Sequence, residues 1–270
     1  MYKKLVMASI ACLSVAGCSM GKVSEEPKPT LVFVHGAHLT GESWAKVIEP
    51  LKSEGYRTLA VDLPGRNDSQ DPREVTLSVS SKALCQAMRE VKGSVSLVAH
   101  SQGGAVVNHA LSLCGANQIQ SIAYIAAVAP LKGAKPFGLL SKEDDENYFS
   151  AVEYDKKSGW LKIKDPKAFA GVFTFSSSDS VKKEVLALSV DEPAAIADGK
   201  VEYTDKAFSK LKKLYVYTEH DKIISHSSQQ KIGASIKPDA EVVMETGHLP
   251  MLTKPESLAK VIDEFVSSHR

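Results

Sequence analysis

The seven residues from Val98 to Gly104, Val-Ala-His-Ser-Gln-Gly-Gly, set a serine between small residues two places before it and two places after. An apolar run precedes them and a helical pattern follows, so Ser101 stands where a strand must turn sharply into a helix. Backbone packs against backbone at such a turn, which leaves room only for small side chains at the flanking positions. This is the layout of a nucleophile elbow, with Ala99 in the first small slot where glycine is usual. The bland alternative is a serine that merely caps a helix.

An elbow serine becomes reactive only with a general base, a carboxylate to orient that base, and two donors for the oxyanion. The chain offers each in the order serine, acid, histidine. Lys213 to Thr218 has the composition of a strand and runs into Glu219-His220-Asp221, a loop bearing a carboxylate. Ala240 to Glu245 is a second strand, followed by Thr246-Gly247-His248-Leu249-Pro250. Upstream, the short apolar strand Thr30 to Val34 ends in His35-Gly36-Ala37, where glycine lets the backbone turn. The candidates are therefore Ser101 as nucleophile, His248 as base and Asp221 as orienting acid, with the amides of Ala37 and Gln102 as oxyanion donors. Glu219 is the alternative acid. His100, His35 and His38 lie beside these loops and suit packing or backbone hydrogen bonding, with His38 also a candidate pocket residue. His109 and His226 read as helix or surface residues.

Between these landmarks the hydrophobic period alternates. Trp44, Val47, Ile48 and Leu51 recur at helical spacing, Arg57 to Asp62 is a strand, and Val79, Leu84, Met88 and Val91 mark a second helix. Ser94 to Ala99 is the elbow strand, a helix spans about 103 to 113, and Ser121 to Ala129 is again an apolar strand. Strands alternating with helices give a parallel sheet covered on both faces, an α/β fold. The alternation stops after Pro130 and resumes at Lys213. Residues 131–212 hold scattered aromatics (Phe137, Phe149, Trp160, Phe169, Phe173, Phe175) and read as a cap inserted above the serine, with one or two of those rings facing the pocket. The α/β core is then residues 30–130 and 213–270.

Residues 1–17 form a separate device. Lys3 and Lys4 precede an apolar, small-residue run from Leu5 to Gly17 that is too short to span a bilayer, which is the pattern of a secretory signal. Its end, Val15-Ala16-Gly17-Cys18, resembles the lipobox of bacterial lipoproteins, which implies acylation of Cys18; simple cleavage nearby is the alternative. Ser19 follows where aspartate would favour inner-membrane retention, so the resemblance implies a lipid anchor in the outer membrane. Residues 18–29 are polar and proline-containing, a tether. Removing Lys3 and Lys4 from the 33 Lys and Arg leaves 31 against 32 acidic residues. A near-neutral chain with no basic, aromatic-interleaved run does not suit nucleic acid. Cys85 and Cys114 remain for the folded body, as a disulfide in an oxidising compartment or as two buried thiols. The spacing of His and Cys suggests no metal site and no cofactor.

From Thr30 onward the chain resembles the α/β-hydrolase superfamily, in particular the branch of plant methyl esterases and hydroxynitrile lyases. The resemblance rests on His35-Gly36-Ala37 with Trp44, Ala99 to Gly104, Ala126-Ala127 with Pro130, Thr218 to Ile223, and Gly247 to Leu252 with Pro255. The stretch before Thr30 is too short for the extra antiparallel strands of larger members, so a sheet of about six mostly parallel strands is expected. The resemblance also implies a Ser101, His248, Asp221 triad acting on a small-molecule ester. The lyases of that branch place a lysine after the catalytic histidine and a threonine after the first His-Gly. Leu249 and Ala37 stand there in this chain, so hydrolysis is the expected chemistry. A non-catalytic, lipid-anchored binding protein on the same fold is the alternative of a different class, and C–C bond cleavage on the same triad a third.

Overall fold

A computed structural model describes residues 27–66, 70–114 and 118–269. The leader, Cys18 and most of the tether lie outside the described residues. The chain begins with β1 (Thr30–Val34), a 3-10 turn (Gly41–Trp44) and α1 (Ala45–Ser53). Then come β2 (Thr58–Val61), α2 (Leu77–Met88), β3 (Val95–His100), α3 (Gly103–Ala110) and β4 (Ile119–Ile125). A long excursion holds α4 (Lys142–Ala151), β5 (Val152–Asp155), β6 (Trp160–Ile163), α5 (Pro166–Phe173), α6 (Asp179–Leu188), β7 (Glu192–Pro193) and α7 (Asp205–Lys210). The alternation then resumes with β8 (Lys212–Thr218), α8 (His226–Ile236), β9 (Ala240–Met244), α9 (Pro250–Thr253) and α10 (Pro255–Ser268).

Six strands form one all-parallel sheet in the order β2-β1-β3-β4-β8-β9. The order reverses after β2, so right-handed crossovers send α1 to one face and α2 and α3 to the other. α1 packs with α10, and α2 with α3. All six residues of β3 are buried, as a central strand covered on both faces requires. Cys85 on α2 and Cys114 beyond α3 are joined as a disulfide, which realises one of the two alternatives left by the sequence.

Register decides where the loops leave the sheet. Val34 pairs with Ala99, which brings the residue two beyond each, Gly36 and Ser101, into contact. A Cβ on Gly36 would lie 2.6 Å from the Ser101 Cβ. Thr218 pairs with Met244, so the loops after β8 and β9 leave at that same edge.

Most strand ends fall within a residue of the sequence expectation; the second helix stops at Met88, short of Val91, and the ends of β4 and α3 also differ by more. The strand expected to reach Ala129 ends at Ile125 because Ala126 turns with φ 43°. Residues beyond it fold over the elbow, where Val128 N donates to Ser101 O at 3.1 Å. The helix expected to reach residue 113 ends at Ala110 and passes into turns. The excursion, in which no strand alternation was legible, contains a small antiparallel sheet, β5-β6-β7. Its strands of two to four residues are too short to show a period of two.

Candidate active site

Ser101 has φ 50°, in the left-handed region that L-residues adopt only at a cost of about 1–3 kcal/mol. Hydrogen bonds on both sides of the residue offset that strain. Its N donates to Ile125 O at 3.2 Å, and its carbonyl accepts from Val128 N and Gly104 N, both at 3.1 Å. The small neighbours are obligatory: a Cβ on Gly103 would meet Val34 O and His35 O at 2.7 Å, and one on Gly104 would meet Val128 O at 1.9 Å.

The turn presents the Ser101 hydroxyl to the loop after β9. Ser101 Oγ donates to His248 Nε2 at 2.9 Å, and His248 Nδ1 donates to Asp221 Oδ2 at 2.7 Å. Asp221 is fixed in turn. Its Oδ1 accepts from the amides of Ile223 (2.7 Å) and Ile224 (3.0 Å), and its Oδ2 from Thr218 Oγ1 (2.9 Å) and Gln229 Nε2 (3.2 Å). These donors fix the carboxylate in place and aim it at the imidazole. All three residues are nearly inaccessible, at 6% for Ser101, 6% for Asp221 and 1% for His248. Glu219, the alternative acid, pairs instead with His226 Nδ1 at 3.2 Å and does not enter this chain of bonds.

Ser101, Ala37 and Gln102 line a cavity of about 460 Å³. Phe137, Phe149 and Phe173 from the excursion line it too, one ring more than the sequence suggested, together with Tyr148 and Tyr154. Phe173 meets the His248 ring edge-on at 5.5 Å and stacks on Phe169 at 4.1 Å. Phe175 lies outside the cavity lining, stacked on His220 at 3.8 Å. Among the described residues no group of three or more His, Cys, Asp or Glu could hold a metal ion.

Three further imidazoles support the site. His35 Nδ1 donates to Gly36 O at 2.9 Å and its Nε2 accepts from Leu63 N at 3.1 Å. That donor and acceptor pattern requires a neutral ring, and burial, with Arg66 adding to it, pushes its pKa down to about 3. His38 Nδ1 donates to Val190 O at 2.9 Å while Nε2 accepts from Tyr148 Oη at 2.7 Å; burial pushes it to about 4. His100 Nε2 donates to the carbonyl of His248 at 2.8 Å, holding the loop that carries the relay imidazole, and burial drives its pKa well below the usual value. His109 accepts from Glu202 N at the surface.

Several residues here carried no sequence signal. Thr218 stands in the sequence as a strand end opening the family-like stretch, with nothing to mark its side chain as a partner of Asp221, and Gln229 is an unmarked helix position. Arg66 stood in a turn-rich stretch, and Glu192 in a charged region that reads as solvated. Glu192 is in fact wholly buried, with Oε1 accepting from Arg66 Nη2 and Gln102 Nε2, both at 2.6 Å, and Oε2 accepting from His38 N at 3.0 Å.

Residues 31–261 match the alpha/beta hydrolase family. The chain belongs to that family. Curated relatives include "Putative methylesterase 14, chloroplastic" of Arabidopsis thaliana, 29% identical over 87% of this chain and 71% of the relative. Methylesterase 10 of the same plant is 24% identical over 88% of this chain and 92% of its own. Among solved structures, a pyrethroid hydrolase from Sphingobium faniae JZ-2 superposes with a TM-score of 0.77 at 18% identity, covering 89% of this chain and 98% of that one. Polyneuridine aldehyde esterase superposes with a TM-score of 0.76 at 20% identity, covering 88% and 98%. At those identities the structural likeness speaks for the fold. With methylesterases among its sequence relatives, the chain is an esterase-like member of the family.

The buried neutral histidines make a pH signature. The unfolded chain takes up protons at His35 and His38 as pH falls below about 6.5, whereas the native sites resist until about 3 and 4. Their contribution to stability is therefore complete above about pH 6.5 and is lost progressively below it. Histidine side-chain ¹⁵N spectra at about pH 5 are expected to show His35, His38 and His100 neutral, with the urea midpoint already falling; imidazolium shifts at these residues would contradict the assignment.

Proposed function

We propose that the protein is a serine carboxylesterase that hydrolyses small to medium esters with a hydrophobic part, through an acyl-enzyme on Ser101. The observation that carries this reading is the continuous hydrogen-bonded chain Asp221, His248, Ser101 at the wall of an apolar cavity. His248 takes the Ser101 proton as Oγ attacks the ester carbonyl, and Asp221 holds the imidazole in the tautomer with Nδ1 protonated. The tetrahedral oxyanion rests on the amides of Ala37 and Gln102, each worth roughly 3–4 kcal/mol in the transition state. His248 then protonates the departing alcohol. Water, deprotonated by His248, attacks the acyl-enzyme and releases the acid.

A cavity of about 460 Å³ walled by Phe137, Phe149, Phe173, Tyr148 and Tyr154 suits an aromatic or branched aliphatic group. The methylesterase names of the relatives favour a methyl ester of such an acid. A panel of methyl and p-nitrophenyl esters of graded size is expected to give turnover with the wild type. Ser101→Ala is expected to lower kcat by about 10⁴-fold or more with little change in the urea midpoint. A well-folded Ser101→Ala variant that keeps its turnover, or a folded wild type inert across the panel, would overturn the reading, the latter in favour of a binding protein.

The mature protein is further proposed to be lipid-anchored through Cys18 in the cell envelope, facing the periplasm from the outer membrane. The Leu5 to Cys18 pattern supports this, as does the Cys85–Cys114 disulfide, which suits an oxidising compartment. Among the described residues no helix is long and apolar enough to cross a membrane. In a detergent phase-partitioning assay on envelope protein, Cys18→Ala is expected to move the protein from the detergent-rich to the aqueous phase; unchanged partitioning would refute acylation there.

A further inference from the structure

The excursion between β4 and β8 does more than wall the cavity. Its strand β7 delivers Glu192 into the sheet edge beside the elbow, where the carboxylate meets three loops of the core at once. Oε1 accepts from Gln102 Nε2, on the residue after the elbow serine, and from Arg66 Nη2 in the loop after β2, both at 2.6 Å. Oε2 accepts from the His38 amide, next to Ala37, at 3.0 Å. Arg66 Nη1 donates to Pro64 O at 2.9 Å. The Arg66 and Glu192 side chains are 1% and 0% exposed.

Every group facing this carboxylate is a donor, so an acceptor-only side chain fits and a carboxamide would press its own NH₂ against one of them. The charge is offset by Arg66 and by hydrogen bonds on both oxygens, which is what a buried ion requires. His38 also needs holding, because its φ of 62° is a left-handed conformation of a non-glycine residue. Two more bonds complete the seam: Val190 N donates to His38 O at 3.0 Å, backbone to backbone, and His38 Nδ1 donates to Val190 O at 2.9 Å. Pro193 lies against the loop after β2 so closely that a Cβ on Gly65 would fall 2.8 Å from its Cγ.

We propose that Glu192 is a positioning residue for the oxyanion site: one carboxylate carried by the excursion holds both loops whose amides, at Ala37 and Gln102, receive the oxyanion. Seating of the excursion and stabilisation of the tetrahedral intermediate are thereby coupled. Glu192 touches neither the substrate nor the reacting atoms. It acts through the orientation of Gln102 and of the peptide following Ala37. The inference rests on the esterase reading above and deepens it.

The test avoids leaving Arg66 as an unpaired buried cation. The double variant Arg66→Met with Glu192→Gln removes both charges together, and Gln102→Met cuts a single contact while sparing the ion pair. Steady-state hydrolysis of an activated p-nitrophenyl ester is measured alongside the rate at which a fluorophosphonate modifies Ser101, since both reactions build negative charge on the same amides. The double variant is expected to lose at least about tenfold in kcat and in labelling rate with KM changed less than about threefold, and Gln102→Met a smaller loss of the same kind. A merely structural role would lower the unfolding midpoint and leave kcat and labelling intact at temperatures where the variants stay folded. Wild-type kcat and labelling in the folded double variant would overturn the proposal; if that variant does not fold, the same result in Gln102→Met does so. A wild type that neither turns over esters nor labels at Ser101 overturns the esterase reading itself, which distinguishes the two failures.

Discussion

The left-handed turn at Ser101 is the constraint around which the site is built. A residue with φ 50° between a fully buried strand and a helix survives only if its surroundings repay the strain. Gly36, Gly103 and Gly104 give way sterically, and the segment after β4 folds across to bond the Ser101 carbonyl. That same strain lifts the hydroxyl off the sheet edge to the height at which the loops after β8 and β9 deliver Asp221 and His248. A relaxed turn would leave Ser101 as a helix cap and the relay without its first member.

Around the elbow, four histidines share one small volume and are sorted by their partners. His35, His38 and His100 each donate from one nitrogen to a backbone carbonyl, and burial keeps them neutral struts. Of the four, His248 alone has a carboxylate on one nitrogen and a hydroxyl on the other, the arrangement that the proposed proton transfer needs. The Arg66–Glu192 pair balances charge in the same region and ties the excursion to the core.

How much of this the sequence reveals depends on how local the signal is. β1 and β3 are apolar runs bounded by turn residues, and their limits read off to within a residue. The Ser101, Asp221 and His248 positions were legible because each sits just beyond such a strand, where a parallel sheet gathers its loops. The end of β4 was not legible: Ala126, Ala127, Val128 and Ala129 look like more strand, but the left-handed turn at Ala126 and long-range bonds from Val128 N to Ser101 O and from Tyr215 Oη to Ala127 O hold them aside. Glu192 was invisible for the same reason. A lone carboxylate in a charged stretch reads as solvated until the fold buries it among three donors from distant loops.

The most direct test of the account is chemical trapping of the acyl-enzyme. The protein is mixed with an activated ester whose acyl group is released slowly, such as p-nitrophenyl pivalate, quenched in acid and mapped by mass spectrometry. The account predicts one acyl group per chain on the peptide containing Ser101, formed in step with the first equivalent of p-nitrophenol. Release of p-nitrophenol with that peptide unmodified, or with the acyl group on another residue, would contradict it.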